Sequence, residues 1–200
     1  MSIESKKLKW SDLPEASELS QALEQEKYRE RYLKTLKSTI STLVVVAAIA
    51  ILTATLWLPV LQIYGNSMTP NLESGDMVVS VSAQKLRQGD VVAFYYNNKV
   101  LVKRVIATEG QWVDIDSQGT VSVDGQKLEE PYLADNEKDL GDTNIQLPYQ
   151  VPEGKFFVMG DHRGVSIDSR NTAIGSIGNE QIVGRLVLRV WPLNRIQWIK

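Results

Sequence analysis

The stretch VLVKRVIAT, residues 100–108, decides the fold. It is a short run rich in β-branched and apolar residues, which favour a pleated, extended backbone over a helix. Successive side chains of a strand point to opposite faces. Lys103 then shares a face with Leu101 and Val105, and Arg104 shares the other with Val102 and Ile106. Two readings of Lys103 stand. It is a lysine at a sheet edge with its amine in solvent, or a buried amine whose pKa is lowered by desolvation.

Runs of the same character lie on both sides. DMVVSVSA, DVVAFYY, QWVDID, TVSVDG, KFFVMGD and IVGRLVLRVW are each bounded by Gly, Asp, Asn or Pro. That pattern predicts a mainly β domain, a barrel-like or coiled β-sheet rather than alternating strands and helices. Between residues 114 and 154 the chain turns polar, through EEPYLADNEKDLGDTNIQLPYQ. A structureless loop of that length is unusual in a compact domain, so a small β insertion is expected there.

Upstream the pattern is different. Residues 38–72 carry no charge, and LVVVAAIAILTATLWLPVL, residues 43–61, is apolar throughout. Nineteen helical residues span about 28 Å, enough for the hydrocarbon core of a bilayer. Trp57 sits near one end, where amphipathic rings favour the interface. Lys27, Arg29, Arg31, Lys34 and Lys37 precede the run, whereas Glu73 and Asp76 are the first charges after it. The positive-inside rule then assigns residues 1–37 to a cytoplasmic tail, 38–64 to one transmembrane helix and 65–200 to the outer side. The tail itself reads as helix, with Ser11 or Asp12 as cap and Glu30 to Lys34 as an i,i+4 pair.

Composition removes several function classes. A net charge of −2 argues against a nucleic-acid partner. The absence of cysteine excludes disulfides, a thiolate metal site and a cysteine nucleophile. His162 is the sole histidine, which excludes a multi-histidine metal centre.

The chemistry-bearing residues lie in three stretches. GNSMTPNL, residues 65–72, presents Ser67 among turn-forming neighbours. Serine is a nucleophile only beside a base. His162 with Asp161 or Asp168 could form a triad, although no G-x-S-x-G elbow accompanies it. A desolvated Lys103 is the other base. GDHRGVSIDSR, residues 160–170, is a dense polar loop that needs internal hydrogen bonds and ion pairs to pack.

Together these stretches resemble the bacterial type I signal peptidases (leader peptidases), membrane-bound serine proteases with a Ser-Lys dyad. SMTPNL is similar to the family's S-M-x-P-T-L box, GDVVAF to its G-D-I-V-V-F strand and VKRVIATEG to its K-R-V-I-G-x-x-G box. VMGDHRGVSIDSR is similar to V-M-G-D-N-R-x-N-S-x-D-S-R, and the likeness covers nearly all of residues 60–195. The resemblance implies Ser67 as nucleophile and Lys103 as general base. It implies that Ser166 orients the lysine amine and Met68 shapes the substrate cleft. Arg104, Asp161, Asp168 and Arg170 are implied to form structural ion pairs. It also implies a coiled β-sheet with a smaller β insertion, no metal or cofactor, and exported preproteins as substrates. A monomer in a bacterial plasma membrane, or a thylakoid membrane, is expected. Four positions depart from the motifs: Gly65 where some members carry an oxyanion-binding serine, Asn71 for Thr, His162 for Asn, and Val165 for Asn. Two other readings remain. A soluble self-cleaving Ser-Lys peptidase related to the SOS repressors would lack the span, and a membrane-anchored β-domain that only binds partners, or an inactive homologue, would not need the dyad.

Overall fold

The computed structural model describes residues 16–57, 59–82, 85–133 and 137–199. The expected cap at Ser11 or Asp12 lies outside them. The chain forms two compact units, Met1–Ala54 and Thr55–Lys200.

One helix, α1, runs over Ala16–Trp57. Strong helix formers (Ala, Leu, Glu, Gln, Lys, Arg) fill its first half. At 42 residues it is about 63 Å long. Within it, Leu19–Thr53 is long and apolar enough to cross a membrane. Leu43, Val44, Ile49 and Leu52 are all more than half exposed, so no protein core takes up this surface. The helix stops earlier than the expected boundary at residue 64. Pro59 has no N–H to donate and disfavours helical geometry in the residue before it, and Val60–Gln62 is already a strand.

The second unit is built of antiparallel strands: β1 (Val60–Gln62), β2 (Met77–Val81), β3 (Val91–Tyr96), β4 (Lys99–Thr108), β5 (Trp112–Ile115), β6 (Val121–Val123), β7 (Gln126–Lys127), β8 (Tyr149–Gln150), β9 (Lys155–Met159), β10 (Ile177–Gly178), β11 (Ile182–Trp191) and β12 (Gln197–Trp198). The main sheet runs β1-β2-β11-β3-β4-β9-β10, with β12 also paired to β11. Strand β11 serves β3 with its first half and β2 with its second. Register shifts at Ile182/Gly184, Leu186/Leu188 and Arg189/Trp191 mark bulges that bend it between the two. Strands β3 and β4 form a hairpin closed by Asn97 and Asn98, both with positive φ (45° and 60°), as a two-residue turn of matching twist requires.

A second sheet, β7-β6-β5-β8, draws its strands from residues 112–150. Its inner residues Val113, Ile115, Val121 and Val123 share a core with Ile106, Ala107, Phe157 and Met159 of the main sheet. Two further clusters fill the main sheet, one around Val92, Phe94, Val105 and Val158, the other around Met68, Leu72, Val78, Val91 and Leu186.

Two pairing limits matter for the site. Strand β9 meets β4 only from Arg104 onward, so, among the described residues, 99–103 have a strand on one side alone. Strand β1 likewise pairs only with β2 among the described residues.

Candidate active site

The loop from β1 to β2 carries Ser67. Its base is closed by the Ile63 N–H donating to Asp76 O (2.8 Å) and the Gly75 N–H donating to Ile63 O (2.9 Å). Met68 and Leu72, each 2% exposed, plug the loop into the core. Gly65 has φ +85°, a left-handed conformation that glycine takes without steric cost, and a Cβ there would meet nothing within 4 Å. Between them Ser67 is half-buried. Its carbonyl accepts the His162 N–H at 3.1 Å. Its own N–H has no protein acceptor among the described residues, and so is free to serve an incoming oxygen.

Lys103 reaches Ser67 from β4. It pairs in register with Val92 and is 3% exposed, among Leu101, Val105 and Phe94 on the same face. The Lys103 Nζ to Ser67 Oγ distance is 2.5 Å, with the amine as donor. Burial is the main influence on this amine and lowers its pKa from 10.5 to about 8. The Asp168 carboxylate opposes that shift, the Arg170 guanidinium reinforces it, and Asp161 opposes it.

The loop 160–170 forms the third side. Met159 lies opposite Arg104 in the β4–β9 ladder, so the chain leaving β9 enters this loop beside the lysine strand. Asp161 accepts two bonds from Arg104, Nε to Oδ1 (2.9 Å) and Nη2 to Oδ2 (2.7 Å). Arg104 also donates to Gly89 O (2.8 Å) and lies 4.0 Å from the Tyr132 ring centroid. Asp168 takes a matching fork from Arg170, at 2.8 and 2.9 Å. Burial alone would raise the Asp168 carboxyl, but Arg170, the Ser166 hydroxyl and the Gly160 N–H hold it below its ordinary value. Ser166 Oγ donates to Asp168 Oδ2 (2.7 Å), which leaves its lone pairs able to accept. Gly160 is what lets it come near: a Cβ there would collide with Ser166 Oγ and with the Ser67 carbonyl.

His162 stands apart from the Ser67–Lys103 contact. Its Nδ1 bonds Thr69 Oγ1 (2.8 Å), and its Nε2 lies 3.5 Å from Glu137. Among the described residues, no group of three or more His, Asp or Glu converges as metal ligands do. Beside Ser67 and Lys103 opens a cleft of about 440 Å³. Leu61, Ile63, Met68, Leu101 and Val102 line it, from the two half-paired strand segments and the Ser67 turn.

Several contacts of the site were not legible in the sequence. Glu130 and Arg163 form a buried ion pair (2.5 Å) across 33 residues of chain. Asn71 bridges Asp161 and the Tyr132 carbonyl. Gly160 was legible only as part of a motif, because the need for a missing side chain depends on neighbours that only the fold supplies.

The family described as "Signal peptidase, peptidase S26" matches residues 36–191. Signal peptidase IB of Staphylococcus aureus (strain MRSA252) is 38% identical over 154 residues, covering 68% of this chain and 79% of that protein. Signal peptidase I of Bacillus licheniformis is 34% identical over 144 residues, covering 66% of this chain and 76% of that protein. A crystal structure of a signal peptidase I from Enterococcus faecalis V583 aligns with 52% of this chain and 99% of that one, at 29% identity and a TM-score of 0.43.

Proposed function

This chain belongs to the signal peptidase family, peptidase S26, a family of serine peptidases, and from that premise we propose that it removes signal peptides from exported preproteins with a Ser67–Lys103 dyad. The observation that carries this reading is the 2.5 Å contact between a buried lysine amine and a serine hydroxyl at the wall of an apolar cleft. At pH 7 a pKa of about 8 leaves about one amine in ten neutral, against about one in three thousand for an ordinary lysine.

The neutral Lys103 Nζ takes the Ser67 hydroxyl proton as the Ser67 oxygen attacks the scissile carbonyl. The Ser67 N–H donates to the developing oxyanion. Gly65 contributes no side-chain donor there, in contrast to family members with serine at this position. The Lys103 ammonium then returns the proton to the leaving amine, and an ester on Ser67 remains. Water, deprotonated by the same amine, hydrolyses it. Arg104, Asp161, Asp168 and Arg170 keep the surrounding loop fixed and neutralise one another, so the amine sits among charges that nearly cancel. Met68 both packs the turn and forms part of the cleft wall.

Helix α1 anchors the enzyme in a bacterial plasma membrane or a thylakoid membrane, with residues 1–37 cytoplasmic and the β unit on the other side, acting as a monomer. The unequal flanking charges support that orientation.

The test is cleavage of a preprotein by the full chain in detergent between pH 6 and 10. We expect Ser67→Ala and Lys103→Ala to be inactive and His162→Ala to retain activity. Wild-type kcat/KM should rise about tenfold per pH unit up to about 8 and level off beyond it, because only the neutral amine is a base. A His162→Ala variant as dead as Ser67→Ala, with Lys103→Ala active, would replace the lysine with a histidine base.

A further inference from the structure

The Ser67 turn is held at its far end by the side chains of Asn71 and Arg189. The Asn71 amide nitrogen has two hydrogens to donate, and both are used: to the Tyr132 carbonyl at 2.7 Å and to Asp161 Oδ2 at 2.8 Å. The Asn71 backbone carbonyl in turn accepts from Arg189 Nη1 at 3.0 Å. Arg189 lies on β11, 3% exposed. Its Nη1 also donates to Asp76 Oδ2 (3.0 Å), and its Nε donates to the Arg195 carbonyl (2.8 Å). Asp76 Oδ2 accepts the Glu73 N–H as well (3.0 Å). The main sheet therefore grips the turn on its backbone, and Asn71 passes that grip to the loop 160–170.

These contacts close a ring. From Ser67 the chain runs four residues to Asn71, then by hydrogen bond to Asp161 and by ion pair to Arg104. Arg104 is the strand neighbour of Lys103, and Lys103 returns to Ser67. Every link except the Asn71 amide is either covalent, an ion pair or the reacting pair itself. We propose that Asn71, seated by Arg189, is a positioning residue that sets the Ser67 oxygen against the Lys103 amine; this rests on the Ser67–Lys103 reading above. The residue type fits that task. Threonine, found at this place in the resembling motif, has one hydrogen to give and can serve one of the two acceptors. Aspartate has none and would set a second carboxylate against Asp161.

A ring held at the right span keeps reacting atoms near attack geometry, where small displacements are costly in rate. Within this arrangement Lys103 is 3% exposed. The groups that face Lys103 are Ser67 on the turn and Asp161, Asp168 and Arg170 on the loop, while Arg104 follows it on its own strand toward the opposite face. Opening the ring at Asn71 admits water among them and moves the amine toward its ordinary, higher pKa.

The experiment measures kcat and KM against pH for the full chain in detergent, with Asn71→Ala, Asn71→Thr, Ser67→Ala and Lys103→Ala beside the wild type. Asn71→Ala is expected to lower kcat at least tenfold with KM within about threefold, on the scale of a lost hydrogen bond to a charged group. Its pH midpoint should move alkaline, and Asn71→Thr should recover part of both effects. Should Asn71→Ala fail to fold, Asn71→Thr decides by the same two readouts. Wild-type kcat and midpoint in the Asn71 variants overturn the proposal. So does a loss that tracks only the unfolded fraction while the midpoint stays put. Activity surviving in Ser67→Ala or Lys103→Ala overturns the dyad reading itself, whereas inactive dyad variants beside unaffected Asn71 variants overturn the positioning role alone.

Discussion

Lys103 is a lysine buried to 3% exposure, and the fold bears a cost for it. Its pKa is about 8 in the folded chain and near 10.5 when unfolded. Below pH 8 both states are protonated, and the folded state carries the full penalty of a desolvated charge. Between about 8 and 10.5 the unfolded chain holds a proton that the folded one has released, so stability climbs with pH; above that range the penalty is gone. The shift corresponds to about 3 kcal/mol as an upper order of magnitude. Lys103→Met should therefore unfold at higher urea at pH 7, by about 1–3 kcal/mol, with a smaller gain at pH 10 and no cleavage at either. Tryptophan fluorescence during urea unfolding of the full chain in detergent checks this. At this scale the sequence was informative. An alternating strand put Lys103 on an apolar face, but its contact with a serine 36 residues earlier needed the fold.

The turn, the strand and the loop meet at Gly160. Its missing side chain is the space in which Ser166 Oγ and the Ser67 carbonyl lie. A methyl group placed there would push on the Ser67 turn and the Asp168 partner together. Gly160→Ala is expected to destabilise the chain by about 1–3 kcal/mol, as overpacking does. It should also lower kcat at least a hundredfold in the protein that remains folded. Thermal unfolding followed by circular dichroism, with kcat measured well below the transition, separates the two effects. Elements were legible where periodicity was strong, as in β4, β9 and β11. The transmembrane helix was expected to run to residue 64 although Pro59 lies within the apolar run, whereas α1 ends at Trp57, ahead of that proline. The Glu130–Arg163 pair was invisible for another reason: neither residue has an apolar neighbourhood in sequence that marks it as buried.

Over the whole molecule, a helix with an exposed apolar surface precedes a β unit that has its own core. An anchored enzyme and an anchored substrate meet within one lipid layer, where the area of membrane sets their concentration. In proteoliposomes, diluting with buffer should leave the cleavage rate per enzyme unchanged. Fusing in added lipid to double the membrane area should lower that rate about twofold for a membrane-inserted preprotein below saturation. A cleavage time course at fixed enzyme content distinguishes these. The division into an apolar helix and a β domain was visible in the residue pattern. The order of strands was not, since β11 reaches its partners β2 and β3 across about a hundred residues and no local pattern encodes that choice.

The open sides of β1 and of the first half of β4 have a consequence for what can be cut. Among the described residues neither segment has a second strand partner along the cleft, and an extended chain can add to such an edge through its backbone. A hydrophobic segment inside a bilayer is helical, because its amides have no other partner there. Under the proposed Ser67 chemistry, such a segment must unwind at the scissile bond. Residues that make poor helix near that bond, glycine and proline above all, lower the cost of unwinding. Susceptibility is then decided as much by how readily the substrate melts as by which side chains it offers.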